Sequence, residues 1–102
     1  MDAFAVLAPP QRRQILDALL AEELPVHELV ARLGMSQPSV SKHLKVLRDA
    51  GMVAVRVDAQ RRCYRVDPAA LWEVDRWLTP YRRLWSDRLD ALTAHLEGEE
   101  PP

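Results

Sequence analysis

The chain has 102 residues, with fourteen Lys and Arg against fifteen Asp and Glu and a formal net charge of −1. That length suits one domain with a modest core, small enough to welcome dimerisation. No apolar run is long enough to span a membrane, the N-terminus lacks the layout of a secretory signal, and the single cysteine, Cys63, excludes an intramolecular disulfide. These features fit a reducing cytoplasm.

Residues 2–7 (Asp-Ala-Phe-Ala-Val-Leu) predict a short apolar helix with Asp2 available as its cap, and Pro9 and Pro10 end it and start the next. Gln11 to Ala21 carries Ile15, Leu16, Leu19 and Leu20 on one face, with Arg12 and Arg13 outside. Glu22 to Pro25 is expected as a turn. Val26 to Leu33 predicts a third helix with Val26, Leu29, Val30 and Leu33 inward, stopped by Gly34.

The stretch from Gly34 to Val53 reads as a helix with both ends marked. Ser36 can cap its N-terminus, Pro38 falls in the first turn, where a missing N–H costs nothing, and Gly51 supplies a left-handed residue past the end. At 100° per residue, Leu44 and Leu47 lie within about 40° of Val40, and the three form one buried stripe. Ser41, Lys42, Lys45 and Pro38 take the opposite arc, Ser39 and His43 one flank, and Gln37 the N-terminal tip. An ordinary surface helix favours Glu and Lys four apart, and this one has no such pair. Two short helices joined by a Gly-containing turn, the second basic and polar at its start, make a helix-turn-helix.

Met52 to Val57 and Arg62 to Val66 are rich in strand formers and predict a β-hairpin with a basic tip. Asp58 to Arg61 lacks Asn-Gly or Asp-Gly, so a loop of four or five residues is expected. A hairpin directly after a recognition helix is a wing. From Ser36 to Val66 seven cations (Lys42, Lys45, Arg48, Arg56, Arg61, Arg62, Arg65) stand against Asp49 and Asp58, hence +5, while the remainder carries −6. A basic segment inside an acidic chain is the footprint of a localised polyanion site.

Asp67-Pro68 opens a C-terminal helical region in which Leu71, Val74, Leu78, Tyr81, Trp85, Leu89, Leu92 and Leu96 recur at spacings of three or four. The stripe keeps its phase across Thr79-Pro80, predicting two collinear helices or one kinked helix with Thr79 as a local cap. Its most plausible partner is the same helix in a second subunit. The expected organisation is one winged-helix domain. Its core spans 8–66, residues 1–7 and 68–96 are dimerisation helices, and 97–102 form a disordered tail.

The sequence resembles the ArsR/SmtB family of small dimeric winged-helix transcriptional repressors. The resemblance rests on Leu-Ala-Pro-Pro-Gln-Arg-Arg-Gln-Ile-Leu (7 to 16), on 33 to 53 from Leu-Gly-Met-Ser-Gln-Pro-Ser through Ala-Gly-Met-Val, and on Arg-Arg-Cys-Tyr-Arg-Val (61 to 66). It covers the chain from about Phe4 to Leu96. It implies a mainly α fold with a β-hairpin wing, and a homodimer on an imperfect palindrome of double-stranded promoter DNA. Its first and last helices would form the interface, here Phe4, Leu7, Leu78, Tyr81, Trp85, Leu89 and Leu92. Carried over by position, Gln37, Ser39, Ser41 and Lys42 would face bases with His43 beside them. Gln37 suits adenine and Lys42 suits guanine. Lys45, Arg61 and Arg62 suit phosphates or the minor groove, with weaker support for Arg12 and Arg13.

The chain departs from the metal-sensing members. Where they carry Glu-Leu-Cys-Val-Cys-Asp-Leu, it reads Glu23-Leu24-Pro25-Val26-His27-Glu28-Leu29, without thiolate ligands for a soft metal. Asp75 is followed by Arg76 and Trp77, not by a histidine two residues on, and His27, His43 and His95 form no ligand spacing. No metal or cofactor is expected. Cys63, in a wing strand with no resolving thiol, is better read as packing than as a redox sensor. Trp72, Trp77, Tyr81 and Trp85 are better read as dimer core than as an effector pocket. No nucleophile–base pair, phosphate loop or carboxylate pair supports an enzyme. The alternatives are a winged helix that binds protein and a repressor released by a small-molecule or thiol-reactive effector.

Overall fold

A computed structural model describes residues 2–98. Residues 2–72 form one compact unit and residues 73–98 another. The elements in chain order are α1 (Ala3–Leu7), α2 (Pro10–Leu19), β1 (Leu24–Pro25), α3 (Val26–Leu33), α4 (Gln37–Asp49), β2 (Val53–Asp58), β3 (Arg61–Val66), a 3-10 turn (Pro68–Leu71) and α5 (Trp72–Leu96).

The local signals act where the sequence puts them. Asp2 accepts from the Phe4 N–H at 2.9 Å, Ser36 from the Ser39 N–H at 3.3 Å, and Asp67 from the Ala69 N–H at 3.1 Å. Gly34 ends α3 at φ 65°, its N–H donating to the Val30 carbonyl. Past α4, the Gly51 N–H donates to Arg48 O and the Met52 N–H to Leu47 O, both at 2.9 Å. With Gly51 at φ 76° this is a Schellman ending, and its hydrophobic clamp is the fully buried Met52. The core of the first unit is Val6, Ile15, Leu29, Val40, Leu44, Leu47 and Met52, all less than 2% exposed.

Four expectations are corrected. Glu22 to Pro25 is not all turn: Leu24 and Pro25 pair antiparallel with Tyr64 and Cys63, giving a three-stranded sheet ordered β1-β3-β2. Proline is tolerated there because β1 is an edge strand. The wing turn is tight, since Asp58 pairs with Arg61 and only Ala59 and Gln60 lie between; Ala59 takes φ 56° in place of the missing glycine. Helix α2 stops at Leu19, and Leu20 is 75% exposed. Finally, of the two arrangements expected across Thr79-Pro80, α5 is the single helix, and what is corrected is Thr79, which is no cap: its hydroxyl donates back to the Asp75 carbonyl at 3.0 Å.

In the second unit no residue of α5 is buried, and Trp77, Tyr81, Leu84, Trp85, Leu89 and Leu92 are each more than 40% exposed. The rings of Trp77 and Tyr81 pack in a tilted arrangement with centroids 4.8 Å apart, and Arg82 bridges to Asp75 at 2.8 Å. Of the expected tail, Glu97 and Gly98 still bond back to Thr93 and His95; the rest lies outside the described residues. Among those, no helix is long and apolar enough to cross a membrane.

Candidate nucleic-acid interface

The site grows from the amphipathic division of α4. Burying Val40, Leu44 and Leu47 turns Ser41, Lys42, Lys45 and Arg48 to solvent on the remaining arc, and Gln37 is exposed at the N-terminal tip. Ser39 and His43 sit on the flank and are half-buried. On β3, Cys63 and Tyr64 are both buried, while Arg61 and Arg62, nearer the turn, are exposed; Arg62 lies two residues from Tyr64 and so on the same face of the strand. Ser41, Lys45 and Arg48 of α4 and Arg62 of the wing line one open groove of about 460 Å³, floored by Val26, Leu44 and Tyr64, with Asp49 as its one carboxylate. Arg48 was absent from the sequence-derived contact set. Its signal was available: Ser41, Lys45 and Arg48 are spaced four and three apart, which is one helix face.

Ion pairing then sorts the seven cations of the basic segment. Glu23 takes Arg56, with Nη2 at 2.8 Å and Nε at 3.1 Å, and lies 3.9 Å from Arg65. This hydrogen bond holds the Glu23 carboxyl below its ordinary value and raises Arg56 above its own. Arg56 also lies 3.9 Å from Asp58. No carboxylate among the described residues pairs with Lys42, Lys45, Arg48, Arg61 or Arg62, and all five are exposed. Within this segment the unpaired positive charge therefore lies on the outer face of α4 and at the tip of the wing.

Arg12 and Arg13 are engaged elsewhere. Arg13 donates to the Leu7 and Ala8 carbonyls at 2.6 and 2.8 Å, and Arg12 to the Val6 carbonyl at 3.2 Å, so the two guanidinium groups satisfy the C-terminal carbonyls of α1. Arg12 Nε also donates to His43 Nδ1 at 3.3 Å. Burial, then the neighbouring charges of Arg12 and Lys42, lower the His43 pKa from its ordinary value. The Arg12–His43 bond, 31 residues apart in sequence, is not visible in a periodicity.

The positions of the missing metal ligands are ordinary. Pro25 is a strand residue and His27 is exposed beside Glu28, 4.0 Å away. Among the described residues no group of three or more His, Cys, Asp or Glu could hold a metal. Cys63 is buried in β3 opposite Pro25 and Arg56.

Comparison with known proteins converges with this geometry. A model of the arsR family of bacterial regulatory proteins matches residues 9–55. Over 97 residues the chain is 36% identical to the HTH-type transcriptional regulator Rv2034 of Mycobacterium tuberculosis, covering 95% of this chain and 88% of that protein. The chain belongs to the ArsR family. It is also 34% identical over 88 residues to the nodulation protein NolR of Rhizobium meliloti, covering 86% of this chain and 70% of that one. Among solved structures, that of a possible transcriptional regulator for arsenical resistance matches at TM-score 0.70 and 36% identity, over 93% of this chain and 96% of the other. As an ArsR-family member the chain is a DNA-binding transcriptional regulator with a winged helix-turn-helix.

Proposed function

We propose that two copies of this chain bind an imperfect palindrome in a promoter, in the bacterial cytoplasm, and repress transcription there, their own gene included. Helix α4 enters the major groove. Gln37, Ser39, Ser41 and Lys42 read base edges with His43 at their side, while Lys45, Arg48, Arg61 and Arg62 hold phosphates or the adjacent minor groove. The observation that carries this reading is the groove in which the outer face of α4 and wing residue Arg62 converge, in and around which five exposed cations have no carboxylate partner among the described residues. A protein-binding wing has no need of that charge. For the dimer, the support is the apolar face of α5, where Tyr81, Trp85, Leu89 and Leu92 are exposed and Leu78 half-buried, with Phe4 and Leu7 of α1 as the second contributor.

The test is binding to the DNA upstream of its own gene as a function of salt. Four phosphate contacts per subunit predict a log–log slope of roughly −7 for the dimer. Lys42→Ala should relax base preference, and Arg62→Ala should weaken every sequence alike. Weak, salt-insensitive binding to all fragments would sink the repressor reading. Loss of affinity without loss of preference in both variants would remove Lys42 from the base-reading set.

A further inference from the structure

The hydrogen bond between Arg12 and His43 joins residues 31 apart in sequence and determines what the imidazole can do. A guanidinium is always protonated and only donates. Its Nε can bond Nδ1 only if Nδ1 keeps its lone pair, so the ring's proton sits on Nε2. The same guanidinium donates to the Val6 carbonyl, which anchors it to the end of α1. Nε2 lies on the far edge of the ring from Arg12. Among the described residues no buried side-chain nitrogen or oxygen lacks a partner, and Nε2 bonds to none of them, so that edge reaches solvent. His43 stands one residue from Lys42 and four from Ser39, on the flank of the outer face of α4.

We propose that Arg12 is a positioning residue for DNA recognition: it locks His43 as the neutral Nε2–H tautomer, so that His43 offers one N–H donor to an acceptor on DNA. This rests on the reading of α4 as the recognition helix. The acceptor is a purine N7 or O6, or a phosphate oxygen, all of which take a single N–H. The charges acting on the ring are Arg12 from α2 and Lys42 from α4, both cationic, and among the described residues no carboxylate opposes them. A proton on Nδ1 would remove the only acceptor Arg12 has on the ring and place two cations together. Acidification therefore breaks the link between the end of α1 and the flank of α4.

The experiment begins on the full chain without DNA. Nitrogen-15 correlation spectra of the imidazoles should show His43 as the Nε2–H tautomer near pH 7.5, and Arg12→Ala should return it to a tautomer mixture with a pKa nearer the ordinary value. An Nδ1–H ring in the wild type, or a tautomer ratio unchanged in Arg12→Ala, would overturn the lock. Affinity for the promoter fragment comes second. His43→Leu should lose roughly fivefold to a hundredfold, the scale of two hydrogen bonds, one from each copy. His43→Gln should recover most of that loss, because a carboxamide can accept from Arg12 and donate to DNA at once. Arg12→Ala should lose a similar factor, and the double variant Arg12→Ala/His43→Leu no more than either alone. Additive losses would show that Arg12 does not act through His43. A base acceptor makes His43→Leu change sequence preference, and a phosphate acceptor makes it weaken all sequences alike. If His43→Leu binds as well as wild type while Lys42→Ala does not, the donor role falls and the recognition helix stands. If neither variant matters, the recognition-helix reading itself falls.

Discussion

Helices α4 and α5 are built to the same amphipathic recipe and come to opposite ends. In α4 the stripe of Val40, Leu44 and Leu47 is at most 1% exposed, and the polar face is what remains outside. In α5 the stripe of Tyr81, Trp85, Leu89 and Leu92 is 44–62% exposed. The first helix has its apolar partners in α2, α3 and β2 of the same chain. The second carries more apolar surface than a single copy covers. Periodicity therefore reports that a face must be buried and not by what, a difference that separates a folding element from an assembly element.

The largest expected effect breaks the first half of this contrast. Leu44→Ala should cost about 3 kcal/mol of unfolding free energy, since it opens a cavity at a fully buried site. Urea unfolding should give the same loss at every protein concentration. Leu89→Glu probes the second half: a charge on the α5 stripe should shift the dimer midpoint, read by sedimentation, by tenfold or more in concentration, about 1.4 kcal/mol or above. A Leu89→Glu chain whose oligomeric state matches wild type would remove Leu89 from the interface.

Two smaller effects sharpen the account of the winged unit. Ala59 holds a left-handed φ of 56° that glycine adopts freely, so Ala59→Gly should stabilise by roughly 1 kcal/mol at most. A destabilised Ala59→Gly would mean the turn is not the strained one described. The smallest effect is that of His43 on stability. Its pKa in the folded protein is depressed below the ordinary 6.5, chiefly by burial. Below 6.5 the unfolded chain takes the proton first, so this contribution is complete above 6.5 and is lost as pH falls from there through the folded value. Unfolding free energy should thus decline more steeply between pH 7 and 5 in wild type than in His43→Gln. Equal slopes would mean His43 titrates alike in both states.

How much was legible depends on the range of the interaction. The caps and stops at Asp2, Ser36, Gly34, Gly51 and Asp67 were readable because each is settled within five residues of chain. Most of the outer face of α4 followed from helical spacing alone. The strand at Leu24–Pro25 was not readable, because two residues have no periodicity and its pairing with β3 is made about 40 residues away. Ala59 misled for a related reason: local propensity disfavours it in a tight turn, and the pairing of β2 with β3 on either side holds it in place.

The sequence by itself determined where the helices begin and end, which faces are apolar, and that positive charge gathers between 36 and 66. Those are properties of near neighbours and of composition. Only the tertiary structure decided which of the charges are free. Arg56 and Arg65 go to Glu23, Arg13 to the end of α1, and Arg12 to both that end and His43, leaving Lys42, Lys45, Arg48, Arg61 and Arg62 facing outward. An ion pair or a tautomer depends on atoms a few ångströms apart in space and tens of residues apart in sequence, and that distance is what folding sets.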